Sequence, residues 1–212
     1  MSEIHPMTER QRAFADALLT CGAVKFGAFR LKLHETHPDA PLSPIYVDLR
    51  VLRSFPDATD IAVEVLAEMI AADGIICDLF ADIPQAATPL VAVLSHVTRV
   101  PMITPREVKT HGATGQINGA YHAGETVLVI DDVITDGASK VETLRVLESH
   151  GLRVRDVAVL VDREQGGVAQ MREAGYALHA AVTLTQLLEH WRATKALDLA
   201  TYEQVRAYRA RA

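Results

Sequence analysis

Apolar residues along the chain follow two periods, and the alternation between them sets out the architecture. Phe14, Ala17, Leu18 and Cys21 recur at helical spacing behind the capping-box sequence Thr8-Glu9-Arg10-Gln11, so a first helix is predicted before Gly22. Ile61, Val65, Leu66, Met69 and Ile70 mark one face of a second helix over Asp57–Ala72, with Gly74 at its end. From there short apolar runs alternate with helical stretches. Strands are predicted at Ile75–Phe80, Val100–Ile103, Thr126–Asp131, Asp156–Val161 and Ala177–Val182. The helices between them cover Thr88–Val97, Gly137–His150 and Gly167–Ala174, and two more, Thr185–Thr194 and Asp198–Ala210, form a tail. That rhythm predicts an α/β fold whose mostly parallel, five-stranded sheet has helices on both faces.

Two segments depart from the rhythm. Val24–Leu33 and Ile45–Leu49 read as short strands joined by the proline-containing loop His34–Leu42, a hairpin lying outside the main body. The chain is therefore expected to be one domain, with a helix-and-hairpin hood over 1–55, an α/β core over 56–183 and C-terminal helices over 184–212. The second departure is Pro105–Glu125, a polar stretch with four glycines and no helical stripe. Structureless segments of that length in a compact domain are usually functional.

Composition narrows the class. At 49% hydrophobic and 23% charged the 212 residues can bury a sizeable core. The net charge of −6 argues against a nucleic-acid partner. No apolar run approaches the length of a membrane span, and the opening MSEIHPMTERQR has no apolar leader core. With Cys21 and Cys77 as the cysteines, no disulfide framework is expected and a cytoplasmic location is the default. His34, His37 and Asp39 have metal-ligand chemistry but read as an exposed loop. Cys77 reads as a core residue in a strand, and Trp191 as packing beside Leu187 and Leu188.

The candidate chemistry centres on Val127–Lys140, VLVIDDVITDGASK. A buried strand runs into two carboxylates, Asp131 and Asp132, then a small-residue turn, then a helix. Open parallel sheets bind ligands beyond the carboxyl ends of their strands. Side chains alternate along a strand, so the two carboxylates diverge and can each accept hydrogen bonds from ribose hydroxyls. The turn Thr135-Asp136-Gly137-Ala138-Ser139 lies at a helix N-terminus, where free N–H groups and the helix dipole favour a phosphate. Arg106, Lys109 and His111 cluster in the 105–125 stretch, and in an acidic chain they suggest an anionic ligand.

VLVIDDVITDGAS resembles the phosphoribosyl-pyrophosphate signature of type I phosphoribosyltransferases. Four further stretches, in order, resemble the orotate phosphoribosyltransferase branch: VKFGAFRLK (24–32), SPIYVDLR (43–50), EVKTHG (107–112) and LVDREQGG (160–167). The resemblance implies a type I phosphoribosyltransferase-like fold. It implies that Asp131 and Asp132 hold the ribose hydroxyls and that Thr135, Asp136, Gly137, Ala138 and Ser139 hold the 5′-phosphate. Lys109, His111 and Arg106 would reach the pyrophosphate from the family's mobile loop, typically in the partner subunit of a homodimer. Lys32, Tyr46 and Arg163 would serve the orotate side, and Mg²⁺ would be carried mainly by substrate oxygens.

Those residue types suit the reaction. Displacing pyrophosphate from the anomeric carbon passes through a cationic sugar, so the leaving anion must be neutralised while water is excluded. Three departures from the family pattern stand out: the longer 33–43 segment, Asp82 in place of a glycine with Ala86 nearby, and Pro105 in place of a usual arginine. They keep open a phosphoribosyltransferase for another nucleobase, and a non-catalytic regulator that binds phosphoribosyl pyrophosphate.

Overall fold

The computed structural model describes residues 6–30, 33–106, 117–135 and 137–209. Helix α1 (Glu9–Thr20) opens with the expected capping box: Gln11 N–H donates to the Thr8 hydroxyl at 3.2 Å and Thr8 N–H to Gln11 Oε1 at 2.7 Å. Strand β1 (Val24–Phe29), a short helix α2 (Leu33–Thr36) and strand β2 (Ser43–Val47) follow, then a 3₁₀ helix (Leu49–Ser54) and the long α3 (Pro56–Ala72). The alternating part comprises β3 (Leu79–Asp82), α4 (Thr88–Thr98), β4 (Met102–Pro105), β5 (Ile117–Asn118), β6 (Thr126–Ile134), α5 (Ala138–Ser149), β7 (Arg153–Asp162), α6 (Gly167–Glu173) and β8 (Ala177–Thr183). Helices α7 (Leu184–Ala193) and α8 (Leu199–Arg209) complete it.

Among the described residues the main sheet runs β5-β4-β3-β6-β7-β8. Its β4, β3, β6, β7 and β8 pair in parallel, as the βαβ rhythm requires, while β5 adds a two-residue antiparallel edge on β4. Each face of the sheet has its own core. Leu128 and Ile130 of β6 pack with α1, α3, α4 and α7, whereas Val127 and Val129 pack with Leu144 and Leu147 of α5 and Met171 of α6. The period of two along β6 thus decides which helix layer each of its residues meets.

Several sequence expectations need correction. The strand expected at Ile75–Phe80 starts only at Leu79; Ile76 is 88% exposed, and Cys77 is half-buried outside any strand. The apolar run there covers a connection into the sheet, because composition alone does not distinguish a strand from the residues leading into it. The 34–42 segment holds a helical turn, and the His34 ring nitrogen lies 3.2 Å from the Ala40 carbonyl, folding the segment on itself. The 105–125 stretch begins within β4 and contains β5, so part of it is strand.

The hairpin β1–β2 forms its own two-stranded sheet, yet it is not outside the body. Val24 and Ile45 are buried in the main core, and α8 packs on β2. Trp191 of α7 is fully buried, donates from Nε1 to the Ala15 carbonyl at 3.0 Å and meets the Phe26 ring edge-on at 5.9 Å. Hood, one face of the sheet and tail therefore share one apolar interior.

Candidate active site

Strand β6 delivers its two acids to opposite faces. Asp131 continues the Val127–Val129 series toward α5, and there it meets Lys140, in the first turn of that helix. The Lys140 ammonium donates to Asp131 Oδ2 and, at 2.9 Å, to the Val133 carbonyl; Asp131 Oδ1 accepts the Asp132 N–H at 2.8 Å. Lys140 and Asp131 are both buried. Both oxygens of Asp131 are thus engaged within the protein.

Asp132 faces the other way, into a crevice lined by Leu49, Arg50, Arg53, Ala86 and Pro89. Its Oδ1 accepts the Val133 N–H at 2.7 Å. Burial, reinforced by the neighbouring Asp131 charge, pushes its carboxyl up from 3.8 to about 7. The carboxylates diverge as strand alternation requires, and Asp132 is the one open to the crevice.

The turn after β6 is shaped by close packing. Gly137 has φ of 84°, and a Cβ there would come within 2.8 Å of Met171 Cε and 3.2 Å of Ile134 Cδ1. Gly167, at the start of α6, would place a Cβ 2.9 Å from the Thr135 carbonyl. Glycines at both positions let α6 lie against the phosphate turn. Thr135 and Gly137 are thereby placed at the N-terminus of α5, where a phosphate is favoured. Asp136 and the side chains of Ala138 and Ser139 lie outside the described residues, as do Lys32, Lys109 and His111. Arg106 is exposed just after β4.

Beside β6, strand β3 ends in Asp82, fully buried. One carboxylate oxygen accepts the Thr88 hydroxyl at the start of α4; the other has no partner among the described residues. Asp82 is therefore turned inward onto α4, which reduces the repulsion its sequence position suggests for a bound pyrophosphate. The loop between them carries a cis peptide bond at Pro84-Gln85, and Arg53 reaches the Gln85 carbonyl at 3.3 Å.

The base side is assembled from distant stretches. Arg163, just past β7, is held against the signature strand by its N–H bond to the Ile134 carbonyl at 3.0 Å. Its guanidinium is buried, Nε has no partner among the described residues, and burial lowers its pKa. Tyr46 on β2 lies against the Phe29 ring, centroids 5.5 Å apart. Arg50 forms a bidentate pair with Asp48 at 2.6 and 2.8 Å, which holds its pKa up, and the charges of Tyr46 and Asp132 act in the same direction. Arg50 lines the same crevice as Asp132. Sequence reading did not single out Arg50 or Lys140. The i to i+9 spacing of Asp131 and Lys140 across a strand-to-helix turn was the available signal for the second.

The raised Asp132 pKa has a thermodynamic sign. The folded value lies above the unfolded one, so this group's contribution to stability is present below about pH 4 and is lost as pH rises towards 7. A ligand whose hydroxyls donate to Asp132 needs the carboxylate, and must expel the proton to bind. Affinity for a ligand held through its hydroxyls is expected to rise with pH up to about 7, approaching tenfold per unit below that value. Calorimetry in two buffers of different ionisation enthalpy at pH 6 should show proton release; equal heats would remove Asp132 from the ribose contact.

Among the described residues no group of three or more His, Cys, Asp or Glu side chains could hold a metal ion. No helix there is long and apolar enough to cross a membrane.

A scan against protein-family models finds no match. Individual proteins do match. The chain is 36% identical over 205 residues to uridine 5′-monophosphate synthase of Bos taurus, covering 92% of this chain and 42% of that protein. It is 34% identical to orotate phosphoribosyltransferase of Methanopyrus kandleri, covering 85% of this chain and 93% of the relative. The solved structure of Leishmania donovani UMP synthase superposes with a TM-score of 0.83 at 35% identity, over 95% of this chain and 42% of that one. The chain thus spans less than half the length of both synthases and nearly all of the archaeal enzyme.

Proposed function

The chain belongs to the orotate phosphoribosyltransferase family, and on that basis we propose that it is a glycosyltransferase converting orotate and phosphoribosyl pyrophosphate into orotidine 5′-monophosphate and pyrophosphate, a step of UMP synthesis. The observation that carries the reading is the junction of β6 and β7. There the acid-and-turn signature and the buried Arg163, whose Nε has no partner among the described residues, are joined by the backbone bond from Arg163 to Ile134. On this reading the 5′-phosphate sits at the turn and Arg163 supplies the cation for the anionic base.

The chain's residues divide the work. N–H groups at the start of α5, with Thr135, bind the 5′-phosphate, and Asp132 accepts from the ribose hydroxyls. The negative charge of Asp132 also favours the developing oxocarbenium ion. Arg163 and Tyr46 orient the base, and Arg106, Lys109 and His111 neutralise the departing pyrophosphate. Orotate's ring nitrogen forms the new bond to the anomeric carbon as the bond to pyrophosphate breaks, so no covalent enzyme intermediate is needed. Asp132, the carboxylate open to the crevice, is the oxygen donor this site would offer to Mg²⁺ carried on the substrate. When bound it supplies charge neutralisation on the pyrophosphate. Homodimerisation, with the 105–125 segment serving the partner's site, and a cytoplasmic location complete the proposal. The free cysteines Cys21 and Cys77 suit a reducing compartment.

Loss of orotate absorbance in the presence of phosphoribosyl pyrophosphate and Mg²⁺ tests the reaction, and its absence with purified protein would sink it. Asp132→Asn is expected to raise KM for phosphoribosyl pyrophosphate by about tenfold, the scale of one charge-assisted hydrogen bond. Orotate affinity should stay within twofold; an equal loss of both would reject the ribose role.

A further inference from the structure

Arg163 is followed by a residue whose backbone is held in an uncommon conformation. Glu164 has φ of 56°, in the left-handed region that a glutamate adopts only when its surroundings determine it. Those surroundings are visible. The Glu164 N–H donates to Asp162 Oδ1 at 2.7 Å. Its Oε2 accepts from the Thr185 N–H and the Thr185 hydroxyl, both at 2.7 Å, at the start of α7. The same oxygen accepts from Arg209 Nη2 at 2.8 Å, and Arg209 Nη1 donates to the Thr185 hydroxyl at 2.9 Å.

Arg209 lies in the last turn of α8, far from the signature in sequence. The side chain of Arg209 is 19% exposed and that of Glu164 is 31% exposed, so the pair is shielded from bulk water. The same turn of α8 bears directly on Arg163, whose guanidinium feels the charges of Tyr208 and Arg209. Helix α8 also packs on β2, which carries Tyr46. One helix therefore touches both halves of the base corner, and its guanidinium closes the contact that fixes the residue after Arg163.

We propose that Arg209, acting through Glu164 and Thr185, is a positioning residue for base recognition: the last turn of α8 sets the direction of Arg163 and so governs affinity for the anionic pyrimidine. This rests on the reading of Arg163 as the base-side cation. The side chains of Glu164, Thr185 and Arg209 bond to one another rather than to the phosphate turn, so the larger effect falls on the pyrimidine. Without Arg209, Glu164 loses its ion pair and keeps the bonds to Thr185 and Asp162, and the turn 162–166 can relax toward a conformation that glutamate prefers. Arg163 then approaches the base from a broader range of directions.

The test is steady-state kinetics with each substrate varied in turn, on wild type, Arg209→Met and Thr185→Val, with melting curves for each. Methionine keeps the aliphatic length of Arg209, and valine removes the Thr185 hydroxyl without altering charge. For Arg209→Met, KM for orotate is expected to rise about tenfold while KM for phosphoribosyl pyrophosphate changes less than twofold. Thr185→Val should move in the same direction by a smaller factor, and Arg209→Lys should recover part of the loss. Unchanged orotate KM in Arg209→Met overturns the inference, as does an equal rise for both substrates. If Arg209→Met does not fold, Thr185→Val decides on the same criterion. A wild type that turns over no orotate overturns the proposed function and this inference together, whereas an active wild type with indifferent variants overturns the inference alone.

Discussion

Lys140→Met is expected to destabilise the protein by about 3–5 kcal/mol, because it leaves Asp131 as a buried carboxylate without its cation. Lys140 and Asp131 have side chains only 8% and 6% exposed, so solvent screening offers little relief. For a chain of this size each kcal/mol shifts the melting midpoint by about 2–4 °C, giving a fall on the order of 10 °C. The bond to the Val133 carbonyl is lost as well, and with it a tie between the strand end and the first turn of α5. Lys140→Met/Asp131→Asn removes both charges and is expected to regain most of the stability, since a neutral buried pair carries a far smaller desolvation cost. Thermal melts of the two variants decide: if the double variant melts no higher than the single, the loss is one of packing and not of charge.

Lys109→Ala is expected to lower kcat by about 10²–10³, the scale of removing one preorganised group that stabilises transition-state charge. The reason lies in the described part of the site. Lys140 is engaged by Asp131, Arg50 by Asp48, and Arg53 by the Gln85 carbonyl. Arg163 stands on the base side. On the proposed reading the charge opposite the leaving pyrophosphate comes from Arg106, Lys109 and His111. With an unchanged melting midpoint the loss would be catalytic. Undiminished turnover would move the role to another residue, and a wild type that binds phosphoribosyl pyrophosphate without turnover would favour a regulator instead. Mixing Lys109→Ala with Asp132→Asn protein also tests the shared site: recovered activity means that one subunit's segment serves the other's strand end.

Hydrophobic periodicity made the core legible in advance. The helices over 57–72, 88–97 and 137–150 lie within a residue or two of their expected bounds, because each has an amphipathic face and a proline or glycine at an end. The strand starting at Leu79 was misplaced by four residues, because Ile75 and Ile76 are apolar without being paired. Two-residue β5 carries too little pattern to be read from the sequence at all. The departures at Asp82 and Ala86 were visible, but their consequence was not. Only the packing of α4 shows that Asp82 turns inward onto Thr88.

By itself the sequence determined the α/β class, the Asp131–Asp132 signature, the phosphate turn and the family resemblance, since these depend on local order along one strand and one helix start. Tertiary structure decided which of the two acids is free. Alternation on β6 sends Asp131 into the face covered by α5, where Lys140 neutralises it, and sends Asp132 into the crevice under the 3₁₀ helix. It also decided that Arg163 is set by Glu164, Thr185 and Arg209, a contact spanning 45 residues that no local pattern encodes. Side-chain periodicity reports the face a residue occupies; what waits on that face is fixed only when the chain closes on itself.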